Sequence, residues 1–209
     1  ENSGNGGISV LTPDANRSAI VFGHASDNLK MQIRHDGGTS LSQIISDDTL
    51  TFNVSGGTER MRIDTDGHIT MPTQTAFSAG RSSTLTNVAI DSMVTTNLNS
   101  EIYDVNSDFS DPNFTAPVTG KYQLSAVIYF NQLDASADYY IIRINTSNRV
   151  YDRVINMAGR SDENYSSYVI SVLADMDASD TAFISTLQSG GAAQTDITAG
   201  TYFTGFLAC

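Results

Sequence analysis

The chain has one cysteine, no tryptophan, four prolines and only 11 basic residues against 23 acidic ones among its 209. Each shortage excludes something. Cys209 is the last residue, so no intrachain disulfide can form and stability has to come from packing or assembly. The deficit of Lys and Arg gives a formal charge of -12, which opposes phosphate backbones and anionic lipid headgroups, so neither nucleic acid nor a membrane surface is an expected partner. No run approaches the ~20 apolar residues that span a bilayer, and no basic-then-apolar signal opens the sequence, so membrane insertion is not expected either. Residue 1 is Glu, which predicts a portion cut or processed from a longer chain. Also missing are a Gly-x-Ser-x-Gly elbow, a His-Glu-x-x-His helix, a phosphate-binding glycine loop and any cysteine pair. The expectation is a protein that is not an enzyme.

What is present favours strands. Charged residues make up only 16% of the chain, while Ser, Thr, Asn, Asp and Gly abound, the composition of short strands joined by tight turns. From Gly7 to Pro72 apolar and polar residues alternate in short stretches, clearest at Leu29-Lys30-Met31-Gln32-Ile33-Arg34, Leu50-Thr51-Phe52-Asn53-Val54 and Met61-Arg62-Ile63. Turn signals separate them: Asp36-Gly37-Gly38, Ser55-Gly56-Gly57 and Thr65-Asp66-Gly67, pairs that accept positive φ. Each strand offers two or three medium apolar side chains on one face, too little for residues 1–76 to stabilise themselves. Three copies wound about one axis would merge those faces into a thin core, which predicts a trimeric, β-rich, intertwined fibrous shaft. The stretch Gly57-Thr58-Glu59-Arg60-Met61-Arg62-Ile63-Asp64-Thr65-Asp66-Gly67-His68-Ile69 resembles a motif found just upstream of terminal domains in bacteriophage tail fibres and related virion spikes.

Pro72 ends the alternation, since it cannot donate to a ladder, and a second domain is expected over residues 77–209. Strands are expected there at 89–94, 120–130, 139–145, 149–157, 165–174, 181–188 and 202–207, spaced as in a β-sandwich. Tyr139-Tyr140-Ile141-Ile142-Arg143-Ile144 is so continuously apolar that it should lie centrally or at a subunit contact. Pro117 is placed to start a turn, Gly120 to take a backbone angle closed to other residues, and Tyr122 and Leu124 to enter the core together. In Tyr202-Phe203-Thr204-Gly205-Phe206-Leu207 both faces are apolar, so one should meet the sandwich core and the other a neighbouring subunit, with Gly205 admitting a close neighbour.

Phe114-Thr115-Ala116-Pro117-Val118-Thr119-Gly120-Lys121-Tyr122-Gln123-Leu124 has its aromatic, Pro, Gly and Tyr at offsets similar to those of the C1q-like heads, relatives of tumour necrosis factor. Residues 202–207 resemble that family's final strand, and residues 167–183 its penultimate hairpin. The resemblance implies an all-β chain whose residues 77–209 form a ten-stranded jelly-roll β-sandwich assembling as a homotrimer. Leu124 stands where many members have Phe, and Asn106-Ser107-Asp108-Phe109-Ser110-Asp111 replaces the usual loop, so no family binding site or ligand carries over.

Candidate sites are few. His24, His35 and His68 all fall at turns or strand ends of the N-terminal part, where surface placement is the ordinary reading. Asp134, Asp138, Asp175, Asp177 and Asp180 read as turn residues and single out no carboxylate pair for glycoside hydrolysis. Asp104, Asn106 and Asp108 place three oxygen-bearing side chains at alternate positions, like the start of a calcium loop, although the glycine and terminal Glu are missing; calcium is the one metal candidate. Tyr103, Tyr139, Tyr140, Tyr151, Tyr165 and Tyr168 exceed what a sandwich core needs, and serve either subunit packing or an adaptable contact surface. Tyr165, flanked by Asn164 and Ser166, is the expected exposed contact to a ligand or receptor. Together these readings predict a trimeric virion fibre or spike tip that binds a host-cell surface glycan or protein. The alternatives are a structural trimerisation cap or decoration protein without receptor binding, a secreted C1q-like adhesin, and a glycan-degrading spike.

Overall fold

A computed structural model describes residues 10–24 and 26–209, apart from the side chains of residues 27–29, so the expected strand start at Gly7 and the Leu29 side chain lie outside the described residues. The chain divides into two compact units, Glu1–Pro72 and Thr73–Cys209. Among the described residues every regular element is a strand.

The first unit holds two three-stranded antiparallel sheets. One runs β1 (Arg17–His24), β2 (Asp27–Asp36), β3 (Leu41–Ser46), and the other β4 (Leu50–Val54), β5 (Thr58–Ile63), β6 (Ile69–Thr70). The β4–β5 turn uses left-handed backbone at Ser55, Gly56 and Gly57 (φ 48°, 78° and 106°), as the Ser-Gly-Gly signal predicts. The β2–β3 turn differs: its positive φ falls on Ser40 (56°), and Gly37 is needed because a Cβ there would sit 1.9 Å from the Asp14 carbonyl oxygen. Close approach, not φ, fixes that glycine. Across the described part of this unit Gln32 is the sole buried side chain, and no apolar one is buried. Among the described residues neither three-stranded sheet therefore has the buried apolar face that a small sheet needs for independent stability.

The second unit is a sandwich. Its strands are β7 (Ala76–Gly80), β8 (Val94–Thr95), β9 (Ser100–Asp104), β10 (Phe109–Ser110), β11 (Asn113–Thr115), β12 (Gly120–Leu133), β13 (Tyr139–Thr146), β14 (Val150–Asn156), β15 (Glu163–Met176), β16 (Thr181–Ser189), β17 (Asp196–Ile197) and β18 (Tyr202–Leu207). One sheet has the order β15-β12-β18-β7-β9 with β17 beside β12; the other has β10-β11-β16-β13-β14 with β8 beside β16. The first and last strands pair in the middle of one sheet, and every ladder is antiparallel. Two sheets wrapped in this way make a jelly roll. Residues 74–76 are tied to this unit: the Gln74 side-chain amide donates to the Leu207 carbonyl and the Leu207 amide to the Thr75 carbonyl.

The period-two pattern of β12 decides the core. Tyr122, Leu124, Ala126, Ile128 and Phe130 are all fully buried on one face, opposite Tyr140, Ile142 and Ile144 of β13. β13 lies between β16 and β14, so its continuous apolar run is central in its sheet. The buried Tyr122 hydroxyl donates to the Val118 carbonyl (2.7 Å), which pins the bend opened by Pro117. Gly120 does not have the positive φ expected of it; a Cβ there would come within 2.7 Å of the Cys209 carbonyl oxygen and of Leu207, so close contact with the chain end is what requires it. Gly205 meets the expectation, leaving room where a Cβ would come within 2.7 Å of both Leu124 and Phe77. The expected strand at 89–94 is mostly absent. Asn87 and Asp91 take positive φ (54° and 55°), which breaks extended backbone, and only Val94–Thr95 pairs as a strand.

Phe77 is the hub of the core: it stacks on Phe114 (centroids 4.5 Å apart) and Phe109 (5.4 Å) and meets Phe203 edge-on (5.1 Å). Phe77→Ala should cost the unit about 3–5 kcal/mol, read from the midpoint of urea unfolding, because three rings lose their common neighbour.

Candidate interaction surface

The outer face of the β15-β12-β18-β7-β9 sheet is where the sequence leaves apolar groups without cover. Cross-strand register groups its side chains into rows. Val169, Val127 and Tyr202 form one, and Leu173, Gln123 and Phe206 another. Between them runs a hydroxyl row, Ser171, Ser125, Thr204 and Ser78, which ends at Tyr103 on β9. Tyr202 and Phe206 are 42% and 49% exposed although they sit mid-sheet, and Val169, Leu173, Tyr103 and the β9 neighbour Ile102 are exposed too. Phe203, one residue along, is fully buried, so β18 has one face in the core and the other bare, as its two-sided pattern implies. Two exposed apolar rows flanking a hydroxyl row make this face a candidate for contact with another surface. The outside of the other sheet is mixed: Arg143 spans to Asp152 with two short bonds (2.6 and 2.7 Å) beside the half-buried Ile141 and Leu187, while Val150 and Val154 are exposed there.

The receptor-contact residues expected from sequence fall at the end of β15. Tyr165 is 71% exposed on this outer face, opposite Asn131, with its ring 6.4 Å from that of Tyr129. Asn164 and Ser166 are turned by strand alternation toward the opposite side; Ser166 lies opposite the buried Phe130 and bonds to Glu163. Tyr165 therefore stands with Tyr129 and Asn131, a grouping that strand pairing alone reveals. Tyr140 belongs to the core, where its hydroxyl meets Thr195 Oγ1 (2.7 Å) and accepts from the Asp134 amide (3.0 Å). Tyr168 carries Arg153 over its ring at 5.4 Å and takes a bond from Arg160.

The calcium candidates act locally. Asp104 accepts the backbone amides of Asp108 (3.0 Å) and Phe109 (2.8 Å), one on each oxygen, and the Asn106 side-chain amide donates to the Thr73 carbonyl and the Thr75 hydroxyl. Asp108 Oδ2 is buried with no hydrogen-bond partner. Burial pushes the Asp108 carboxyl above the ordinary value, and the nearby Thr75 and Asn106 side chains oppose that without offsetting it. Among the described residues the one tight group of potential metal ligands is Asp64, Asp66 and His68, in the β5–β6 turn. There Asp64 accepts the amides of His68 and Asp66 and faces His68 Nδ1 (3.0 Å), and the His68 amide bond is the main reason its carboxyl is held below the ordinary value. His24 and His35 are exposed beside Ser26 and Ser42.

No protein-family model matches the chain, and no curated protein matches it in sequence. Among solved structures it is similar to the globular domain of a zebrafish complement 1qA protein, at 17% identity and a TM-score of 0.50, over 65% of this chain and 98% of that one. Murine APRIL (10% identity, TM-score 0.45, 64% of this chain and 98% of that one) and the PRD1 vertex protein P5 (10%, 0.41, 65% and 97%) also match. The likeness to the complement domain shows the fold of the second unit, a C1q-like jelly roll.

A likeness of backbones at this identity brings no ligand with it, so calcium has to be tested on the loop itself. A raised carboxyl in the folded state favours the protonated form, so the contribution of Asp108 is present below the unfolded value and lost as pH rises through the folded one. Asp108→Asn should therefore stabilise the chain at pH 7, and the gain should shrink as pH falls below the ordinary carboxylate range, where the native carboxyl is protonated in both states. Thermal melts across that range check it. The same melts with calcium and with a chelator test the metal: no calcium-dependent shift in the wild type excludes it.

Proposed function

We propose that the chain is the distal part of a homotrimeric virion fibre or spike, with residues 1–76 as a fibrous shaft and residues 77–209 as a head, displayed on the outside of the particle. It attaches the particle to a glycan or protein of a host-cell surface by non-covalent contact. The observation that carries the assembly is the pair of uncovered apolar surfaces: an N-terminal unit with no apolar core among its described residues, and the Tyr202/Phe206 face of the jelly roll. Both need cover, and copies of the same chain supply it in equal number. The complement-like fold and the Gly57–Ile69 resemblance to virion fibres are consistent with this reading. Attachment is supported by Tyr165, a large exposed aromatic next to Tyr129 at one end of the sandwich. Three linked sites convert weak single contacts into strong binding through avidity. A trimerisation cap would use the same packing faces and lack the binding.

Light scattering of the intact chain should give three times the single-chain mass at every concentration from micromolar upward. Tyr202→Asp with Phe206→Asp, both on the exposed face and so harmless to the isolated fold, should lower that mass. A single-chain mass for the wild type overturns the assembly. For attachment, purified protein should bind host cells in physiological salt, and Tyr165→Ala should weaken single-site binding about 10-fold or more. A trimer that binds no host surface is a cap.

A further inference from the structure

We propose that the N-terminal unit is two copies of one 30-residue β-meander module, and that the apolar row on each module is an interface for the same row of other copies of this chain. For its copy number this rests on the homotrimer proposed above.

Phe22 and Phe52, Met31 and Met61, Ile33 and Ile63, Asp36 and Asp66, and Gly37 and Gly67 each lie 30 positions apart, as do Ile20 and Leu50, and Lys30 and Arg60. So few identities are weak evidence in a sequence, but the strand registers coincide as well. Phe22 pairs with Met31 and Ile20 with Ile33 in the β1–β2 ladder; Phe52 pairs with Met61 and Leu50 with Ile63 in β4–β5. Both ladders are irregular immediately after the phenylalanine. The third strand begins to pair nearer the isoleucine of the middle strand in the second module, yet an isoleucine lands opposite in each: Ile44 against Ile33, and Ile69 against Ile63.

Directly paired residues and residues two apart share a face. Ile20, Phe22, Met31, Ile33 and Ile44 therefore project from one side of the first sheet, and Leu50, Phe52, Met61, Ile63 and Ile69 from one side of the second. None of the ten is buried; the bare ones run from Ile20 at 44% exposed to Ile69 at 60%. The opposite side of the first sheet is mixed: Val21 and Leu41 are exposed there, Gln32 is buried, and the Arg34 Nε donates to Gln43 (2.9 Å).

An unrelated partner covering both modules would itself have to repeat at the same interval. A copy of this chain does so by construction. That is what singles out the occupant, and it makes the interface additive, since each module presents the same row.

The test uses the full chain with Cys209→Ser, so that engineered cysteines are the sole thiols. Ile33→Cys and Ile63→Cys, at equivalent places in the two rows, should each cross-link between copies on mild oxidation, while Gln43→Cys on the opposite side should not. Removing residues 24–53 splices the first half of one module to the second half of the other at the equivalent position. The product should keep its number of copies, at a mass lower by the 30 residues removed from each, and Ile63→Cys within it should still cross-link. If the intact chain is trimeric by light scattering but neither isoleucine position cross-links, or the spliced chain loses the cross-link, the module interface is wrong and the trimer stands. A dimeric mass with cross-linking at both positions keeps the repeated interface and overturns the threefold copy number. A single-chain mass overturns both.

Discussion

Strand β12 is the element on which the second unit depends. It pairs along its whole length with β15 on one edge and with β18 and β17 on the other, and it contributes five fully buried side chains to the core from Tyr122 to Phe130. Its alternation sets the register of three other strands at once, and a slip by one residue would move every one of their side chains to the wrong face. The first and last strands of the second unit meet beside it: β18 lies next to β12 and in turn holds β7, so Phe77 reaches Phe203 and Phe114 only when the final strand is in place.

The surplus of carboxylates reads in this light as loop chemistry. Asp36, Asp64, Asp91, Asp104, Asp111, Asp134, Asp162, Asp180 and Asp196 all accept backbone amides in turns or connections. Asp134 is the most buried of them. Burial pushes its carboxyl up, but the Ala192 amide and the Ser136 amide and hydroxyl outweigh that and hold it below the ordinary value, so its carboxylate form stabilises the fold above the unfolded value and loses that effect as pH falls. The charge of -12 is thus in good part the composition of a protein rich in turns, whose acidic side chains fasten loops.

The two units handle apolar surface in opposite ways. The second closes a core of its own and leaves one sheet face open, whereas the first, among its described residues, buries no apolar side chain and leaves a row on each of its sheets. The second unit buries enough aromatic and aliphatic surface to hold its own fold, and the association proposed above would cover the rows of the first.

Much of this was legible in the residues. The bounds of β18, the inward pairing of Tyr122 with Leu124, the tight fit at Gly205 and the positive φ at Ser55-Gly56-Gly57 follow from local pattern and turn chemistry. β7 did not show, because Ala76-Phe77-Ser78-Ala79-Gly80 has little strand preference and becomes a strand by being held between β18 and β9. The roles of Gly37 and Gly120 were misassigned for a related reason: both are required by a distant backbone or side chain that comes within contact distance, which no local angle announces. Which residues share a strand face and where the chain turns depend on neighbours one to four positions away, so the local order of residues is enough to set them. Which of those faces is core and which stays bare, and the matching registers of the two N-terminal meanders, depend on partners far along the chain and are set only once the strands have paired.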